Sequence, residues 1–228
     1  MDFSLIGILT IALEVLIIFF SLSVHESAHG WMADKLGDHT ARMLGRITLN
    51  PIPHIDPVGT IFLPLFLAVT GMPIFGWAKP VPVISRNFKH IKRDGALVGA
   101  AGPLSNLMLV LISLFLMGAS MAVLGPQRFW VLVNSKYSGI WWLLQFGLIN
   151  LILAVFNLIP IPPLDGSWIL SAILPYRVQQ LYDRTRNFSF ILLLLVFFLV
   201  DIRPAVNVLV WLFFQLPLEL LTFLLQGH

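Results

Sequence analysis

The sequence predicts an all-α polytopic membrane protein, with about five to six transmembrane helices and a re-entrant or extended membrane-embedded segment after the first helix. Three observations lead there. The 228-residue chain is 58% hydrophobic and only 11% charged, with a mean hydropathy of +0.90, whereas soluble domains carry roughly 25% charged residues. Apolar runs of membrane-spanning length recur along it. The basic residues are gathered into a few of the connecting stretches.

The candidate segments are Phe3–Val24, Val58–Phe75, Gly95–Leu124, Ile140–Pro160, Phe188–Val200 and Ala205–Leu225. A helix needs about 20 residues to cross ~30 Å of hydrocarbon. The first segment has that length and reads as a retained span. It lacks the positive start and small-residue cleavage pattern of a secretory signal. The second contains Gly59, Pro64, Gly71 and Pro73, which make it a weak spanning helix. Between it and the third lies "GWAKPVPVI", where Pro80 and Pro82 alternate with Val81 and Val83. That pattern predicts extended backbone with only one edge able to pair fully. The third segment has 30 residues and no charge. The fifth has only 13 and needs Arg184 and Arg186 to snorkel at its start.

Charge decides the topology. If all six segments cross, the basic residues divide almost evenly between the two sides. If Val58–Phe75 dips back, the stretches Ala33–Pro57, Gly76–Asp94 and Asp165–Asn187 share a side and hold 11 of the 14 Lys and Arg. The positive-inside rule favours this arrangement, with the N-terminus outside. The net charge of +3 is small, and no arginine-rich tract or stacking platform points to nucleic acid. With no cysteine in the chain, disulfides, thiolate nucleophiles and zinc–cysteine sites are excluded.

At the inner end of the first span stands "SVHESAHGW", which contains the pattern H-E-x-x-H as His25, Glu26 and His29. Residues four apart share a helix face, so both imidazoles can reach one ion. Zinc suits such a site, with three protein ligands and an open fourth position. Glu26 lies about 100° round the helix, placed to take a proton from an attacking water. His25 comes 22 residues after Phe3, about 33 Å along a helix. The site is therefore expected near the inner face of the membrane rather than at its centre.

Two histidines leave zinc short of a ligand. His39, His54, His90, His228 and the carboxylates are available, and Asp165 stands out. It ends "FNLIPIPPLDG", Phe156 to Gly166, where three prolines break the fourth helix. Taken alone, Asp165 reads equally as a turn or cap residue, because D-G is a common turn pair. The topology that gathers the basic residues also brings Asp165 to the same inner end as the histidines. A six-crossing topology would put it ~30 Å away.

Together these motifs resemble the site-2 protease family of intramembrane zinc metalloproteases. The likeness rests on His25-Glu26-x-x-His29 and on Asn157-x-x-Pro160-x-Pro162-Pro163-Leu164-Asp165-Gly166, with "AGPLSN" (Ala101 to Asn106) and "GWAKPVPV" (Gly76 to Val83) in support. The resemblance implies an intramembrane endopeptidase holding one Zn2+ per chain on His25, His29 and Asp165. It implies Glu26 as catalytic base and Asn157 as a group that holds the substrate backbone or the developing oxyanion. It implies that Gly76, Trp77, Ala78, Lys79, Pro80 and Val81 pair with an unwound, membrane-embedded protein substrate. This would be a minimal form without a PDZ or CBS domain: one transmembrane domain over 1–228, a catalytic core to about residue 175, and C-terminal helices at about 182–225. The rival readings are a transporter or metal channel built on the same His/Glu/Asp cluster, and an inactive relative that binds membrane proteins. No inverted repeat supports the first, and no missing ligand supports the second.

Other residues carry weaker signals. His54, in "NPIPHIDPVG", and Asn106 are candidates for supporting the site from behind the ligands, and Asp56 shares the standing of His54. Glu14, mid-span, reads as protonated and hydrogen-bonded within the bundle. Gly99, Gly102, Ser105 and Gly118 read as small residues for close helix packing. Trp130, Trp141 and Trp142 fit an interfacial aromatic belt. Whether copies of the chain associate is left open.

Overall fold

The computed structural model describes residues 5–70, 76–182, 184, 188, 189, 191 and 203–226. These are helices and connecting loops, with no strand among the described residues. Four helices are long and apolar enough to cross a membrane: α1 (Leu5–Lys35), α4 (Ile91–Leu124), α6 (Gly139–Asn157) and α8 (Pro204–Gln226). Shorter helices join them: α2 (Thr40–Met43), α3 (Leu63–Thr70), α5 (Pro126–Val133) and α7 (Gly166–Ile173). Phe188–Val200 lies almost wholly outside the described residues, so this span stays an expectation.

The helix carrying H-E-x-x-H does not end at Val24. It runs on to Lys35 because nothing in the stretch breaks it, and it stops at Gly37, whose φ of +107° is the left-handed conformation that ends helices. The two halves of α1 differ. From residue 5 to 20 only Gly7 and Thr10 are buried, while Ser21, Ser23, His25, Ser27, His29 and Gly30 are enclosed by neighbouring elements. Glu14 falls in the first half and is exposed, not held within the bundle as expected. Large apolar side chains, among them Leu9, Leu16, Leu111, Phe115 and Leu224, stand exposed along α1, α4 and α8. An apolar surface of this extent belongs against lipid.

The described residues at either end of the second apolar segment come together. Asp56 opens it as a cap, accepting hydrogen bonds from Val58 N (2.9 Å) and Gly59 N (2.7 Å). A π-helical turn, Pro57–Phe62, leads into α3. The helical stretch from Pro57 to Thr70 rises no more than about 21 Å, short of the ~30 Å hydrocarbon core. After the undescribed residues 71–75 the chain is back where it began: Trp77 N donates to Gly59 O (3.2 Å) and Thr60 Oγ1 to Trp77 O (2.8 Å). These bonds join Gly59 and Thr60 to Trp77 across the segment, as the re-entrant expectation requires. Residues 76–84 form neither helix nor strand, and Ile84 at their end has extended backbone (φ −109°, ψ 94°).

The basic stretches meet as a result. Arg46 donates to Lys79 O (2.8 Å), and Lys92 donates to Leu174 O (3.2 Å). The apolar core lies towards the other end of the bundle, where Val110, Met117 and Met121 of α4 pack with Phe129 of α5, Leu151 of α6 and Phe214 of α8. Apolar packing therefore holds one end of α4 and α6. Their other end faces α1 and is free to carry polar groups.

Candidate metal centre and active site

His25 and His29 lie one turn apart on α1, both buried (4% and 8% exposed). His25 Nδ1 donates to Asn106 Oδ1 (2.6 Å) and His29 Nδ1 donates to Val98 O (2.7 Å), both acceptors being on α4. Each ring thus spends its proton at Nδ1 and turns an Nε2 lone pair inward. The two Nε2 atoms are 3.1 Å apart. Asp165 Oδ2 lies 3.1 Å from one and 3.3 Å from the other. Among the described residues this is the group of His, Asp and Glu able to share one ion.

Asp165 precedes α7, yet its side chain caps nothing, and its buried Oδ2 accepts no hydrogen bond. Asp165 thus occupies the turn at the start of α7, as the D-G pair suggests, but its carboxylate does no capping there. Three potential ligand atoms converge within 3.1–3.3 Å of one another, an arrangement that could hold one shared cation. The spacings also fit. Ligands about 2.0–2.1 Å from a tetrahedral zinc stand about 3.3 Å from one another. The donor set, two imidazoles and a carboxylate, is one that zinc accepts with a position left open.

Glycine makes this approach feasible. A Cβ on Gly102 of α4 would lie 2.4 Å from His29 Nε2 and 2.6 Å from His25 Nε2, and one on Gly99 would lie 3.0 Å from Asp165 O. Gly102 thus does more than let helices pack, as the sequence had suggested: it makes room for the imidazoles.

Glu26 is half-buried beside this group, and its Oε2 accepts a hydrogen bond from Val81 N (2.8 Å). The extended segment thereby holds the carboxylate. The cavity in front measures about 560 Å³ and is lined by His25, Glu26, His29 and Asp165, by Gly76, Trp77, Ala78, Pro80 and Val81, and by Asn157. Lys79 is not part of the lining. Its N–H donates to His54 O (2.8 Å) and its carbonyl accepts from Arg46. The alternate residues Trp77, Lys79 and Val81 thus spend their N–H groups inside the protein, while Ala78 N–H has no partner among the described residues.

His54 stands apart from the metal group. It is buried, donates from Nε2 to Thr48 O (3.0 Å) and braces the loop beneath Lys79. Asn106 stands behind His25 and accepts a hydrogen bond from its Nδ1. Sequence reasoning missed Val98, whose contribution is a backbone carbonyl and leaves no trace in residue type, and Asn150, discussed below.

The chain shares 38% identity over 199 residues with "Putative zinc metalloprotease YwhC" of Bacillus subtilis, a match covering 86% of this chain and 83% of that protein. The chain belongs to peptidase family M50, the site-2 protease family. The M50 family model matches residues 132–200, which include Asn157 and Asp165. A relative in Mycolicibacterium smegmatis, described in the same words under the name Rip2, is 31% identical over 82% of this chain and 65% of its own length. Rip2 of Mycobacterium tuberculosis is 30% identical over 85% of this chain and 70% of its own length. No solved structure matches the chain. Membership of M50 and the names of these relatives support a metalloprotease, and with the four long apolar helices they support an integral membrane protein.

Proposed function

We propose that this M50 protein is an intramembrane zinc endopeptidase that hydrolyses peptide bonds of transmembrane or membrane-associated protein segments, with one zinc per chain. The observation that carries the reading is the convergence of two Nε2 atoms and a carboxylate oxygen beside Glu26, in a cavity bordered by extended backbone. The distribution of basic residues supports a multi-pass protein of the cell membrane, with the N-terminus outside and the site near the cytoplasmic face.

When bound at His25, His29 and Asp165, zinc supplies Lewis acidity that acidifies water and polarises a carbonyl. Glu26 takes the proton of the attacking water and delivers it to the leaving amine as the C–N bond breaks. Its bond from Val81 N keeps the carboxylate at the cavity wall. Asn157 donates one N–H to Leu153 O (2.9 Å), which leaves its second N–H for the developing oxyanion. A transmembrane helix hides its peptide bonds and must unwind before cleavage. Ala78, with its N–H unpaired at the cavity, offers the unwound chain a backbone partner.

The test is cleavage of a model transmembrane peptide by purified native protein and Glu26→Gln, with zinc measured in both. The variant should retain stoichiometric zinc and lose about 10²-fold or more of the rate. Undiminished cleavage by that variant would remove Glu26 from the mechanism. A native protein without zinc, inert towards every such peptide, would remove the proposal.

A further inference from the structure

Asn150 lies in the middle of α6, fully buried, two helical turns before Asn157. Buried amides are rare in apolar helices and need every partner satisfied. Its Nδ2 donates to Phe146 O (2.9 Å) and to Ser21 Oγ (3.0 Å). Its Oδ1 accepts from Asn106 Nδ2 (2.7 Å), and Asn106 Oδ1 accepts from His25 Nδ1 (2.6 Å). A hydrogen-bonded chain therefore joins α6, α4 and α1 and ends on a proposed metal ligand.

Such a chain has a polarity, and one member cannot reverse. Phe146 O is a carbonyl and only accepts. Facing it, Asn150 must present its NH2 group, which turns Oδ1 towards Asn106. Asn106 must then present NH2 to Asn150 and its oxygen to His25. The histidine answers with Nδ1–H, and Nε2 keeps its lone pair. Reversing the chain would set two oxygens 2.9 Å apart at Phe146 with no proton between them. It would also place the His25 proton on Nε2, where it blocks a metal. His29 reaches the same state directly, by donating to the Val98 carbonyl.

We propose that Asn150 is a positioning residue that sets the tautomer of His25: the polarity imposed at the Phe146 carbonyl passes through Asn150 and Asn106 and leaves His25 Nε2 free to bind the metal. This rests on the reading of His25, His29 and Asp165 as a metal site.

The test uses the full-length protein with Asn150→Leu, Asn150→Asp and, as a control, Ser113→Ala. Asn150→Leu keeps an apolar side chain of similar size but removes the short bond to the Asn106 amide, leaving its Nδ2 only the long contact to Ser21 O (3.4 Å). Asn150→Asp, carrying a proton in its buried place, can donate to Phe146 O and still accept from Asn106. Ser113 is also fully buried, bridging α4 to Leu143 O of α6 (2.6 Å), but does not touch the chain. Two quantities are read: zinc affinity by chelator competition, and the His25 tautomer in metal-free protein from imidazole 15N shifts. Asn150→Leu should weaken zinc binding about 10- to 100-fold and turn a single Nδ1–H tautomer into a mixture. Asn150→Asp should stay within a few-fold of native with the native tautomer, and Ser113→Ala should match native. Native affinity and tautomer in Asn150→Leu would overturn the proposal. So would an Asn150→Asp as impaired as Asn150→Leu, or an equal loss in Ser113→Ala, which would make the effect one of helix packing. If the native protein binds no zinc, the site reading fails, while the tautomer shift still decides the role of Asn150.

Discussion

Gly102→Ala should separate helix stability from metal binding. Ordinary contact begins near 3.4 Å, but the new Cβ would sit 2.4 Å from His29 Nε2 and 2.6 Å from His25 Nε2. The rings would have to retreat by up to about 1 Å, whereas metal–ligand distances hold to within about 0.2 Å. The displaced atoms are the proposed donors themselves, tied from behind to Asn106 and Val98, so they cannot move freely. As a helix former, alanine is better than glycine by about 0.8–1.0 kcal/mol. The variant should therefore remain folded and helical in detergent while its zinc affinity falls by at least about 10²-fold, more than loss of an outer hydrogen bond produces. Chelator competition measures the affinity, and circular dichroism with a thermal scan measures the fold. Gly118→Ala is the control, because its Cβ would meet only the mobile end of Leu221 at 3.3 Å. Native zinc affinity in Gly102→Ala would refute the placement of the ligands. An equal loss in Gly118→Ala would mean that any added methyl on α4 disturbs the bundle.

Two further substitutions probe other parts of the structure. In Gly59→Ala the new Cβ would lie 2.2 Å from the Trp77 ring and push away the start of the extended segment. Peptide cleavage should fall about tenfold or more with zinc affinity unchanged, and loss of both would show that the segment supports the metal site as well. Asp38, in the loop after α1, has its pKa lowered: burial pushes it up, but hydrogen bonds from Ile84 N, Thr40 and Asn87 outweigh this. A depressed folded-state pKa contributes stability above the unfolded value near 3.8, which is lost as pH falls through the folded value. The stability gap between native protein and Asp38→Asn should be constant above about pH 5 and shrink in more acidic solution. A gap that widens on acidification would reverse the sign of the argument.

The legible part of this protein was carried by residue type and spacing. His25, Glu26 and His29 declared a candidate metal-binding helix face because helical periodicity is local. The charge count placed Asp165 at the same end as the histidines. The structure brings it to 3.1 Å from His25, and the paired ends of the second apolar segment explain how. What spacing could not show was what stands opposite each residue. Gly102 looked like a packing residue because its function is to lack a side chain. His54 looked like a ligand candidate because a histidine that braces a loop reads the same as one that faces a metal. Asn150 did leave a signal, an amide in an apolar span two turns before Asn157, but its partners lie on other helices.

The sequence by itself determined the solvent and the chemistry: an apolar chain that must satisfy its backbone within helices, and a helix face with two imidazoles and a carboxylate. The tertiary structure decided the rest. It set Trp77 against Gly59 and gave Glu26 the Val81 N–H as a partner. It set each imidazole proton against an acceptor on α4, so that both lone pairs face Asp165. Hydrogen-bond direction depends on which group stands across a distance of about 3 Å, and that is settled only when the helices meet.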